Sequence, residues 1–298
     1  VESRGLGDVY KRQYMDFARI SGTAVETQQA FRFGKPAESC GFSWVWTEGS
    51  WNGTERNGNC MDQSAQFFFS PENRVAPLGI IALEGARELS AKIEAHLLRW
   101  AHEAGMEVDT FTIGNSCPRF SSGDGKGMIN STVRGYDLFF VVDVGNYSCT
   151  YNYFGQENHM SPDDHFQDLK RLIQAASGKA HRINVIMPLL YGGRQHRRSY
   201  RESLDCAFAL QELQNMGVSN VLTFDAHDPR VQNAVPLMGF DNLMPSYQVL
   251  KKMFRSFPDL STDREDFMVV SPDEGALDRN MYYASVSVSY THLTLPTT

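Results

Sequence analysis

The chain has 298 residues, 42% of them hydrophobic, which gives room for about two ordinary domains with real cores. A formal net charge of -7 excludes a general nucleic-acid binder, because neutralising many phosphates needs clustered Lys and Arg. The five cysteines (Cys40, Cys60, Cys117, Cys149, Cys206) hold no C-x-x-C pair and suit a reducing cytoplasm better than a disulfide scaffold or a zinc site. No apolar run approaches the roughly 20 residues that span a bilayer, and the start of the chain lacks a secretory pattern.

In chain order, "VESRGLGDVYKRQ" (1–13) and the closing "VSVSYTHLTLPTT" (286–298) read as translated adapter sequence and are set aside as non-native scars. Residues 14–73, rich in Gly, Ser, Asn and Trp, show no sustained period. They fit upstream sequence translated in error better than a genuine irregular extension. From Arg74 the texture changes. The run Leu78 to Leu83 predicts a short buried strand, and Leu89, Ile93, Leu97 and Trp100 recur at helical spacing before Gly105. "PRFSSGDGKGMINSTVRG" follows and reads more readily as an ordinary glycine-rich turn between strands than as a site, although it offers Phe120 as a stacking platform with Ser122 and Asp124 close behind. It is not a Walker A loop.

"YDLFFVVDVG" predicts the next strand. Ser161, Pro162 and Asp164 then predict a capped helix start, with Gly178 at the exit. "RINVIMPLL" reads as a strand, "RESLDCAFALQELQNMG" as an amphipathic helix, and "NVLTFDAH" as another strand. "DFMVVSPDEGALDR" reads as an apolar strand ending in Asp273 and Glu274, then a helix. Near-continuous apolar strands alternating with helices indicate a mostly parallel α/β sheet covered on both faces. In such sheets ligands collect at the C-terminal strand ends. Asp225, His227 and Asp228 stand at one such end, although turn-forming aspartates and a loop histidine would account for them equally well. Beyond Leu190, "YGGRQHRRSYRES" sets Arg194, His196, Arg197, Arg198 and Arg201 after a Gly-Gly turn. Guanidinium forks and backbone N–H groups there suit phosphate oxygens better than they suit a solvated helix start. Together these clusters describe a site for a metal-bound polyphosphate.

Taken in order, "RFSSGDGKGMINSTVRG", "MPLLYGGRQHRR", "VLTFDAHDPRVQ" and "VVSPDEGALDR" resemble the motif set of the ribose-phosphate pyrophosphokinases, from about Arg74 to Ala284. The resemblance implies two type I phosphoribosyltransferase-like domains, here residues 74–235 and an incomplete second domain, 236–285. It also implies a cytoplasmic homo-oligomer built from dimers, with no nucleic acid and no membrane. The implied reaction moves the β,γ-diphosphoryl group of ATP, with Mg2+, to the C1 hydroxyl of ribose 5-phosphate and releases AMP.

By the same resemblance, Phe120, Ser122 and Asp124 receive the adenine, typically from a neighbouring subunit, and Arg194 and Gln195 contact ATP. His227 helps hold the magnesium complex, Asp273 lies near ribose 5-phosphate and a second magnesium, and Arg134 belongs to a region of phosphate or nucleotide regulation. Ser122 and His196 stand where relatives commonly carry Asp. The family's mobile Lys/Arg segment and its Asp-Asp ribose-phosphate loop are absent from this sequence, so the catalytic residues are unassigned. The expectation is a fragment that binds Mg-ATP weakly at most. The alternatives are a non-catalytic regulatory paralogue and a phosphoribosyltransferase, the latter disfavoured by the cluster around Arg194.

Overall fold

The computed structural model describes residues 43–47, 50–54, 69–70, 73–261 and 266–287. The expected scar 1–13, most of 14–73 and residues 288–298 lie outside the described residues. The chain divides into two compact units: residues 76–90 with 112 onward, and residues 91–111 with those up to 75.

Strands β1 (Ser43–Thr47) and β2 (Ser50–Thr54) pair antiparallel. Strand β3 (Leu78–Ala82) is followed by helix α1 (Arg87–Glu103), and Gly105 closes it in the left-handed conformation, φ +76°. Beyond the helix, Glu94 accepts from the Thr110 hydroxyl and the Phe111 N–H.

Two short strands, β4 (Asn115–Ser116) and β5 (Met128–Ile129), form a hairpin stem. After β6 (Asp137–Val141) comes a second antiparallel hairpin, β7 (Thr150–Tyr153) with β8 (Gln156–His159). Helix α2 (Pro162–Ala176) carries the expected capping box: the Ser161 hydroxyl accepts from the Asp164 N–H, and the Asp164 carboxylate accepts from the Ser161 N–H. Strand β9 (Arg182–Ile186), helix α3 (Asp205–Asn215), strands β10 (Asn220–Phe224) and β11 (Gly239–Leu243), and helices α4 (Ser246–Ser256) and α5 (Leu277–Ser287) complete the order.

The main sheet runs β11-β10-β9-β6-β3 with every neighbour parallel, as the sequence pattern requires. Its core takes Ile81, Leu138, Phe140, Val185 and Val221 from strands, Leu169, Leu172 and Ile173 from α2, and Leu210 and Leu213 from α3. Each such side chain contributes about 1.5–3 kcal/mol of transfer free energy. At the N-terminal end of the sheet, buried Asp137 receives the Arg182 guanidinium and the Asn184 amide, which stitches β6 to β9.

Three expectations need correction. Strand β11 lies beyond the expected boundary at Val235, yet it completes the same sheet beside β10. Helix α3 starts at Asp205 rather than Arg201, so the basic stretch before it is loop and not a helix first turn. Residues 266–270 are not a strand in the structure, and Met268 and Val270 stay exposed. An extended run becomes a strand only when a ladder satisfies its N–H and C=O groups.

Candidate functional site

The C-terminal edge of the sheet is built from two adjoining loops. After β9, Gly192 takes φ +64°, where a Cβ would stand 3.0 Å from the Cys206 backbone nitrogen, so glycine is required for the turn to press against α3. The Gln195 N–H bonds the Gly192 carbonyl (2.7 Å), and the Gln195 carbonyl accepts from the Cys206 N–H (3.3 Å). The backbone of this turn is therefore fixed while the side chains of Arg194, Gln195, Arg197 and Arg198 remain exposed.

After β10 the chain turns sharply. Asp225 adopts φ +47°, its N–H bonds the Leu243 carbonyl (3.0 Å), and its carboxylate receives Arg279 Nε from α5 (2.9 Å). The Ala226 N–H bonds the Asn242 side chain, so β11 braces the loop. Asp228 caps the 3-10 turn Pro229–Ala234 and is gripped by Arg230, whose Nη2 lies 2.6 Å away. This grip, aided by the Arg230 N–H and by His196, pulls the Asp228 carboxyl down to about 2. His196 joins the two loops: its Nε2 lies 3.5 Å from Asp228, and its ring centroid lies 5.0 Å from that of His227.

The predicted residues thus fall into four places. Arg194, Gln195 and His227 belong to the two strand-end loops. Phe120, Ser122 and Asp124 sit together at the β4–β5 tip, where the Ser122 hydroxyl donates to Asp124 (2.8 Å) and the Phe120 ring is 58% exposed. Arg134 lines a cleft of about 690 Å³ with Lys126, Asn130 and Lys179. Asp273 lies in a loop, where its carboxylate accepts from the Ala276 N–H (2.9 Å) ahead of α5.

Magnesium is a hard ion that prefers converging oxygens. Among the described residues no three His, Cys, Asp or Glu side chains converge as a metal site. The carboxylates beside His227 are already engaged, Asp225 by Arg279 and Asp228 by Arg230. His227 and Asp273 therefore belong to no cluster of three such side chains among the described residues.

Sequence reasoning missed the Asp228–Arg230 grip and the bridging role of His196, because a contact between two strand ends leaves no local pattern. It also missed an anchor beneath the β4–β5 tip. Arg119 donates to buried Asp168 of α2 (2.9 Å), which also receives Arg171 (2.7 Å), and the Arg119 guanidinium lies 5.1 Å from the centre of the Tyr151 ring. Cys117, two residues before Arg119, is half-buried, and desolvation together with the nearby Asp168 charge pushes its thiol up to about 12, which disfavours the reactive thiolate.

A parallel sheet with its polar loops gathered at one edge defines the class: an α/β domain of the open-sheet kind. Residues 78–217 match the family described as the N-terminal domain of ribose phosphate pyrophosphokinase. The ribose-phosphate pyrophosphokinase of Bacillus caldolyticus is 29% identical over 166 residues, 55% of this chain and 46% of the relative. That of Staphylococcus saprophyticus is 25% identical over 217 residues, 72% of this chain and 59% of the relative. The chain therefore spans roughly half the length of these curated relatives. The crystal structure of phosphoribosylpyrophosphate synthetase from Mycobacterium smegmatis matches with a TM-score of 0.56 at 19% identity, covering 73% of this chain and 63% of that one, which establishes likeness of fold. Among the described residues no helix is long and apolar enough to cross a membrane.

Proposed function

We propose that the chain carries the ATP side of a ribose-phosphate diphosphokinase, whose whole reaction transfers diphosphate from Mg-ATP to ribose 5-phosphate and yields AMP. The observation that carries this reading is the pairing of the Gly192–Gln195 turn with the Asp225–Arg230 loop at adjoining strand ends, bridged by His196. Phosphoryl-group transfer asks a protein mainly for positioning and charge neutralisation, and a rigid turn presenting exposed guanidinium groups supplies both.

In this reading Arg194 meets the ATP phosphates, Gln195 orients them, and Phe120, Ser122 and Asp124 take the adenine. His227 contacts phosphate or a bound water. Asp273 lies toward ribose 5-phosphate, and Arg134, with Lys126 and Lys179 around its cleft, suits a regulatory phosphate. The working protein is a cytoplasmic homo-oligomer of dimers.

Calorimetry of the purified chain with Mg-ATP is the test. Binding is expected, and Arg194→Ala should weaken it about tenfold through loss of a charge-assisted hydrogen bond. With ribose 5-phosphate added, no AMP is expected from the 298 residues alone. Absence of ATP binding would sink the nucleotide reading; AMP release would sink only the assignment of this chain as a non-catalytic piece.

A further inference from the structure

The β7–β8 hairpin plays no part in the four motifs, yet its tip rests on the loop assigned to the nucleotide base. We propose that Tyr153 and Phe154 form, with Phe120, an aromatic cradle for the purine of the bound nucleotide. The inference rests on the nucleotide reading above and extends it to two residues of a different hairpin.

The two tips are physically joined. The Phe154 N–H bonds the Ser121 carbonyl (3.2 Å), and a Cβ on Gly123 would stand 2.9 Å from the Tyr153 ring, so glycine at 123 lets that ring approach. Beneath them, Arg119 covers Tyr151 and ties both hairpins to Asp168 of α2. The cradle therefore stands on a buried ionic anchor.

The rings are held toward solvent. Phe120 is 58% exposed, Tyr153 42% and Phe154 70%. Tyr153 and Phe154 meet edge to face, centroids 4.7 Å apart at 73°, which leaves ring faces open to a further flat partner.

Backbone strain supports the same reading. Phe154 adopts φ +48° and Gly155 φ +81°, the two central positions of a two-residue hairpin turn that Asn, Asp or Gly normally occupies. A phenylalanine there is costly, and such outliers collect where a ligand is gripped. The same tip presents a polar edge, because Asp124, held by Ser122, can accept from an exocyclic amine. Flat faces beside a carboxylate select a heteroaromatic amine over an aliphatic ligand, and adenine satisfies both.

The test measures affinities of the full chain for Mg-ATP and for inorganic tripolyphosphate by calorimetry. Phe154→Ala should weaken ATP about tenfold, the worth of one base-aromatic stack, while tripolyphosphate affinity stays unchanged. Phe154→Trp should restore ATP binding and give a tryptophan signal quenched by ATP, which separates stacking from misfolding. If Phe120→Ala weakens ATP and Phe154→Ala does not, the cradle is wrong and the nucleotide reading survives. If the unmodified chain binds no ATP, both fall. If Phe154→Ala alters only sedimentation, the tip is a contact between copies and the cradle is overturned.

Discussion

Two segments of this chain look alike on paper: "NVLTFDAHD" and "DFMVVSPDEG" are each an apolar run that breaks into acids. The first becomes β10, flanked by β9 and β11, with Val221 wholly buried. The second pairs with no strand among the described residues, and Val270 remains 56% exposed. Apolar composition therefore permits a strand without making one. The difference lies in neighbours, since β10 has a ladder on both sides and its acids are aimed by the loop that the ladder fixes.

The sharpest way to break this comparison is to place the same charge in both runs. Val221→Asp buries an unpaired carboxylate in the sheet and should cost about 3–5 kcal/mol or more, enough to unfold the domain. Val270→Asp should change stability by no more than about 0.5 kcal/mol. Urea denaturation followed by far-UV circular dichroism measures both. Equal losses would mean that residues 266–270 are packed as a true strand.

Most of the fold was legible because its signals are local. The capping box at Ser161 and Asp164 involves residues three apart, and β3, β6, β9 and β10 are apolar runs bounded by polar turns. Strand β11 escaped because "GFDNL" is short, half-buried and polar on an edge. The β7–β8 hairpin escaped because a Phe-Gly turn carries none of the usual Asn-Gly signal, although alternating Tyr151 and Tyr153 before Gly155 could have raised it. The candidate site was legible as residue types at strand ends. Its wiring was not, because His196 and Asp228 stand 32 positions apart and meet only once β9 and β10 are paired.

A second, smaller test compares the acids themselves. Asp228 caps a 3-10 turn and holds Arg230 by its side chain and N–H, whereas exposed Asp273 accepts only the Ala276 N–H among its described side-chain bonds. Asp228→Ala should cost about 1 kcal/mol, the usual worth of a cap, and Asp273→Ala about 0.5 kcal/mol. The exposed Arg230 adds little of its own, because a solvated ion pair is weak. A larger loss at Asp273 would show that its loop, not the β10 loop, is the better-built end.

The remaining test is the pH dependence of that cap, and its sign is fixed. Arg230 lowers the Asp228 carboxyl to about 2 in the folded chain, below the ordinary value of about 3.9 kept on unfolding. Between those values the unfolded chain binds more protons than the folded one, so stability from this group rises with pH. It is fully present above about pH 5 and is lost as pH falls through about 4 toward 2. Other carboxylates titrate in the same window, so the quantity to follow is the stability gap between the unmodified chain and Asp228→Asn. That gap should be constant from about pH 7 to 5 and shrink by about pH 3.5. A gap that holds steady to the acid limit would mean that Asp228 is not engaged by Arg230 in solution, and the β10 loop would then lose the feature that sets it apart from the loop at Asp273.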